Sequence, residues 1–172
     1  PGRGRCGGDV MRRTAITLLA LAMVLALAAC GSGGDAAQGA DPVALGEKLL
    51  SQAEDMPDMT VVSSETADGA DLFQYLSDMA YDKVAGYYLA YASAGTAEEI
   101  AVIRLKDSAD TAGARASLER HLENRMGIFR VYDPEQAAML ENARIAVSGD
   151  MAALFICKNS DALDSAFRSG QS

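Results

Sequence analysis

An α+β domain is what this chain predicts, built on an antiparallel sheet from two β-hairpins with helices packed on one face. Three observations carry that reading. Segments 84–93 and 99–106, and again 143–147 and 152–157, are rich in β-branched, aromatic and aliphatic residues and are each joined by a short turn-forming stretch. Apolar residues recur at helical spacing before, between and after these pairs. Each pair also leads into a similar helix start, Lys106-Asp107-Ser108 and Lys158-Asn159-Ser160, so two tandem ββα units are an arrangement the pattern allows.

In chain order, residues 1–10 are rich in Gly and Arg, contain Cys6, and look like neither a leader nor a domain. They read as an extension ahead of a start at Met11. Residues 11–29 have the form of a lipoprotein signal peptide. Met11-Arg12-Arg13 is basic, and the uncharged Leu- and Ala-rich run behind it falls short of the ~20 residues of a membrane span. The run ends in Leu27, Ala28 and Ala29, followed directly by Cys30. This is a lipobox pattern, in which Cys30 attacks the lipid donor as a thiolate and becomes the attachment point. Residues 30–41 are then the lipidated cysteine and a flexible tether, whose eleven residues after Cys30 have an expected end-to-end distance of roughly 17–20 Å. Residues 42–170 form a single α+β domain.

Within that domain, Asp41 as N-cap and Pro42 at the first helical position start a helix whose apolar stripe is Val43, Leu45, Leu49, Leu50 and Ala53. It should end near Asp55, ahead of Pro57. Residues 59–64 read as a short edge strand, and 71–79 as a helix with Leu72, Phe73, Leu76 and Met79 inward. The first hairpin turns through Ala94-Gly95-Thr96-Ala97. Asp107 or Ser108 caps the following helix, which places Ala114, Leu118, Leu122 and Met126 on one face and runs to about Arg125 or Phe129. Arg115 and Glu119 are spaced to pair on its exposed side. Asp133-Pro134 breaks the chain, and 135–141 makes a turn or two of helix. The second hairpin turns through Ser148-Gly149-Asp150-Met151. A last helix, capped by Asn159 or Ser160, turns Leu163, Ala166 and Phe167 inward.

Charge excludes some functions. The chain holds 15 basic and 24 acidic residues. With Arg3, Arg5, Arg12, Arg13 and Asp9 set apart, residues 30–172 keep 11 basic against 23 acidic, a formal net charge of −12. Such a domain is a poor nucleic-acid binder and a poor ligand for anionic headgroups, so the membrane contact is expected through the N-terminal lipid only. Cys157 is left as a lone thiol in an apolar strand, which predicts an inert buried side chain and no intramolecular disulfide.

Chemistry is sparse. His121 is the single histidine and has no second His or Cys to share a transition metal. It reads as a surface or boundary residue, and Asp107 and Asp110 as helix N-terminal residues. No nucleophile elbow or phosphate-binding loop is legible, so neither catalytic residues nor cofactors are expected. The acidic region 54–82 lacks the spacing of a calcium loop and reads as a solvated face. Tyr87 and Tyr91 lie on one face of their strand and Tyr88 on the other; whichever face the helices leave uncovered is a possible contact surface, since tyrosine favours interfaces.

The stretch 88–103, YLAYASAGTAEEIAVI, the helix after it, and DPEQAAMLENARIAVSGD at 133–150 with the apolar strand behind it resemble a bacterial, mainly Gram-positive, lipoprotein family catalogued only as a domain of unknown function 4358. The resemblance covers about residues 42–168. It implies a small extracytoplasmic domain and carries no activity to transfer. The expected role is a lipid-anchored, non-enzymatic binding or protein-interaction module at the outer face of the cell membrane, with an unknown protein or small ligand as partner and no nucleic acid. The alternatives are a cell-envelope hydrolase using His121 with scattered Ser and Asp, and a cation-binding module using region 54–82.

Overall fold

Strands β1 (Met59–Ser63), β2 (Val84–Ala92), β3 (Glu99–Leu105), β4 (Arg144–Ser148) and β5 (Met151–Ile156) pair antiparallel throughout in the order β1-β2-β3-β5-β4. The computed structural model describes residues 1–2 and 40–170. Among the described residues, five α-helices accompany the sheet: α1 (Pro42–Gln52), α2 (Gly69–Leu72), α3 (Thr111–Tyr132), α4 (Pro134–Glu141) and α5 (Ser160–Ser169). The class is α+β, as the hairpin and helix patterns predict.

Both predicted hairpins form. In the second, β4 and β5 are joined by Gly149 and Asp150, and Gly149 takes φ +58°, a conformation that costs glycine little. Asp150 then bridges back to Arg104 on β3 at 2.9 Å. The first hairpin also turns through a positive-φ glycine, Gly95 at φ +78°, and has a further device. Its turn is pinned to α4, because the Ala97 amide donates to Gln136 Oε1 at 2.7 Å.

Helices cover both faces of the sheet, not one. Tyr87, Leu89, Ala101, Ile103, Leu154 and Ile156 pack under α3 and α4 with Phe73 and Leu76. Tyr88, Ala90, Ile100, Val102, Ala153 and Phe155 pack under α1 and α5 with Leu45, Leu49, Leu163 and Phe167. Alternate residues along each strand point to opposite faces, so a strand covered on both sides has no polar side. All six residues of β5 are accordingly buried. The two-sided cover also breaks the symmetry that tandem ββα units imply. A half-turn normal to the sheet between β3 and β5 exchanges the hairpins but keeps each face. Copies so related would carry α3 and α5 on the same side, whereas these helices lie on opposite sides.

Local signals set the starts of α1 and α4, whereas α2, α3 and α5 begin without a side-chain cap, including at Asn159. Asp41 accepts from the amides of Val43 and Ala44 at the start of α1, as its position before Pro42 predicts. Asp133 ends α3 in an extended conformation, as a residue before proline prefers, and its carboxylate caps α4 through the Glu135 and Gln136 amides. The helix expected over 71–79 is shorter: α2 gives way to a 3₁₀ turn at Phe73–Tyr75. The segment behind it is tied to α3 by side chains. Ser77 and Ser117 share a 2.7 Å hydrogen bond, Ser117 donates to Asp78, and Arg120 grips both Asp78 oxygens at 2.7–2.8 Å. The Arg120 guanidinium, with help from Ser117, holds the Asp78 carboxyl down at about 2.

Candidate functional site

Glu99 opens β3 with its side chain turned under α3, on the same face as Ala101 and Ile103. A carboxylate here is buried, with only 2% of its side chain exposed. Burying a charge is costly unless it is paired and hydrogen-bonded. Two residues of α3 meet that requirement, one helical turn apart on the face above it. His121 Nε2 lies 2.8 Å from Glu99 Oε1, and Arg125 Nη1 lies 3.2 Å from Oε2. Arg125 also donates to the carbonyls of Thr96 and Ala97 in the β2–β3 turn at 3.2 and 3.0 Å, and its guanidinium sits 5.5 Å from the Phe129 ring centre.

These three side chains form the floor of a cleft of about 350 Å³. Its walls are apolar and aromatic: Val62 from β1, Leu89 and Tyr91 from β2, and Leu72 and Tyr75 from the α2 region. Tyr75 and Tyr91 remain partly exposed at 69% and 37%. One polar atom of the lining residues, the Arg125 Nε–H, has no partner among the described residues although it is out of contact with solvent; the Thr96 hydroxyl, in the β2–β3 turn and outside the lining, is likewise buried without a partner. A concave, largely apolar site with a few convergent polar groups is the usual form of a small-molecule pocket.

The structure brings together some of the residues the sequence singles out and separates others. Tyr91 lines the cleft, but Tyr87 and Tyr88 are fully buried and are no contact surface. The Tyr87 hydroxyl donates to the Gly69 carbonyl at 2.7 Å, and its ring packs edge-on against Phe73 and Tyr81. Burial pushes its phenol up to about 12. Tyr88 lies beneath α1 against Gly46, also with its phenol raised by burial. The premise that one sheet face is bare fails, because α1 and α5 cover the second face. His121 is the boundary residue of the two readings: its side chain is 16% exposed and engaged with Glu99. Asp107 caps the 3₁₀ turn before α3, and Asp110 pairs with Lys83 at 2.7 Å. Cys157 is buried, and burial raises its thiol.

Among the described residues, no three His, Cys, Asp or Glu side chains converge as a metal site, including those of region 54–82. No helix among them is long and apolar enough to cross a membrane. Leu27, Ala28, Ala29 and Cys30 lie outside the described residues.

Glu99, Arg125 and Tyr75 were not singled out by the sequence reading. A signal for the first two was present: a Glu at the head of an otherwise apolar strand needs a cation, and His121 and Arg125 are spaced four apart on one helix face. Which strand that face covers was not legible.

A family model described as a domain of unknown function (DUF4358) matches residues 59–157, more than half of the chain. The chain belongs to this family. No curated protein and no solved structure matches it. The matched span of the DUF4358 domain contains all five strands, α2 to α4 and every residue of the Glu99 cleft, and leaves out α1 and α5.

Proposed function

We propose that this DUF4358 protein is a lipid-anchored, non-enzymatic binding module, held at the outer face of the cytoplasmic membrane through Cys30. The cleft over Glu99, His121 and Arg125 takes its ligand. The lipobox and signal pattern support the address, and the acidity of residues 30–172 supports anchoring by the lipid alone. One observation carries the binding reading: a buried Arg125 Nε–H without a partner among the described residues, on a side chain that lines a cleft walled by Tyr75, Tyr91 and Leu72. Glu99 neutralises the Arg125 charge, so the site suits an uncharged acceptor better than a free anion. The ligand class is a small molecule with a flat apolar body and one carbonyl-type oxygen.

The Glu99–His121 pair also resembles the oriented base of a hydrolase. Against that reading, the cleft lining offers no Ser, Thr or Cys nucleophile, and Arg125 shares the same carboxylate. Titration of the ¹⁵N-labelled protein with a fragment set of aromatic amides tests the proposal. Amides of Tyr91, Glu99 and Arg125 should shift together, and Tyr91→Ala should weaken the response. Fragments that leave these amides unmoved at millimolar concentration, or a purified protein that turns over an envelope ester or amide, would overturn it. The anchor is tested separately: Cys30→Ala should release a folded protein from the membrane fraction, and retention would defeat the lipobox reading.

A further inference from the structure

Glu98, the neighbour of Glu99, points the other way, since adjacent residues of an extended chain project to opposite sides. Among the described residues, no His or Arg lines the cleft that it faces. The residue is only 9% exposed, and its Oε2 has no hydrogen-bond partner among the described residues. An unsatisfied buried carboxylate oxygen costs more than an unsatisfied neutral acceptor, so a native one calls for a ligand.

The surroundings show what that ligand must be. Glu98 lines a second cleft, of about 510 Å³, with Glu54, Asp55, Met139, Cys157 and Lys158. Lys158 is already engaged, with its Nζ 2.7 Å from Asp55 Oδ2. Lys158 also feels the Glu54 charge, but one cation faces the three carboxylates of Glu54, Asp55 and Glu98, so the lining keeps a net negative charge and favours a cation. The Met139 and Cys157 side chains and Ala138 give it an apolar wall. The Cys157 thiol points its hydrogen-bonding capacity at Asn159 Oδ1, 3.5 Å away, so it acts as wall and not as ligand. A bare metal ion is a poor match, because no three metal-binding side chains converge here. An ammonium group carried on a short hydrocarbon chain fits both the charge and the wall.

We propose that this cleft is a second binding site, for a small alkylammonium cation, with Glu98 as the counter-ion and Met139 and Cys157 against the alkyl chain. It is independent of the Glu99 cleft and survives the failure of that reading. The test is an amide-shift titration of the ¹⁵N-labelled protein with n-butylammonium chloride, with n-butanol and calcium chloride as parallel probes. Butylammonium should produce saturable shifts at Glu98, Met139 and Lys158, and butanol should not. Glu98→Gln keeps the shape, loses no protein hydrogen bond at Oε2, and should weaken binding by roughly tenfold or more. If Glu98→Gln fails to fold, Glu98→Asp, which keeps the charge but withdraws it by one methylene, should still weaken binding. Absence of saturation at tens of millimolar, equal response to butanol, unchanged affinity in a folded Glu98 variant, or tighter binding of calcium at the same amides would each overturn the proposal.

Discussion

Replacing Glu99 with Ala should be among the most destabilising single changes in this domain. It removes the carboxylate that faces both His121 and Arg125 and leaves the Arg125 guanidinium, 21% exposed, with two turn carbonyls and the Phe129 ring. Breaking a buried pair by deleting one partner costs about 3–5 kcal/mol. Arg125 keeps some solvent contact and can withdraw toward water along its alkyl stem, so a loss of about 3 kcal/mol is expected. The cost lies in the stranded charge, so removing both charges should restore most of it. Glu99→Leu with Arg125→Met replaces the pair by apolar groups of similar length and should come within about 1 kcal/mol of the parent. The assay is urea unfolding followed by far-UV circular dichroism, because the chain has no tryptophan to report by fluorescence. A Glu99→Ala loss below about 1 kcal/mol, or a double variant no more stable than the single, would refute the view that this pair is a buried ionic contact.

Gly46→Ala places a Cβ 2.2 Å from Tyr88 Cδ1, so the usual helix gain of about 1 kcal/mol is outweighed and a net loss near 2 kcal/mol is expected in the same urea assay. Gly127→Ala on α3 meets nothing within 4 Å and should instead stabilise by about 0.5–1 kcal/mol. Tyr87 has its phenol raised from 10.0 to about 12, so its contribution is fully present below pH 10 and is lost as pH climbs toward 12. Tyr87→Phe should therefore lie about 1–2 kcal/mol below the parent near neutrality, for the orphaned Gly69 carbonyl, with the gap narrowing between pH 10 and 12; a constant gap across that window would refute the assignment. Cys157, buried with its thiol raised, should resist alkylation at pH 8 until urea unfolds the chain, and rapid labelling of the folded protein would show the site to be open.

The sequence was most legible where a local rule acts alone. Asp41-Pro42 and Asp133-Pro134 marked helix boundaries because capping and the proline ring act over two or three residues. Both hairpins were legible from composition and turn residues. The two-sided cover of the sheet was not, although β5 carried its mark: an unbroken apolar run is what a strand between two helical layers looks like. The pairing of β3 with β5, fifty residues apart in the chain, leaves no local trace, and that pairing is what forms the centre of the sheet. The Glu99 site suffers the same blindness. Each of its members is visible as an oddity, a charged strand residue or a histidine on a helix, but the packing of α3 over β3 brings them together.

The strand order has a consequence for how the domain can be assembled. The middle of the sheet is completed by β5, the last strand of the described residues in chain order. A chain that has been made only as far as β3 presents an apolar ladder edge along Ile100–Leu105 with nothing to pair with, and such an edge invites association with other chains. Closing it requires a contact of high sequence separation, which slows folding. The domain therefore cannot mature from its N-terminus onward. A truncation ahead of Met151 removes the centre of the sheet and not its margin, and should yield aggregating chains, whereas loss of β1, an outer strand, should be survived far better.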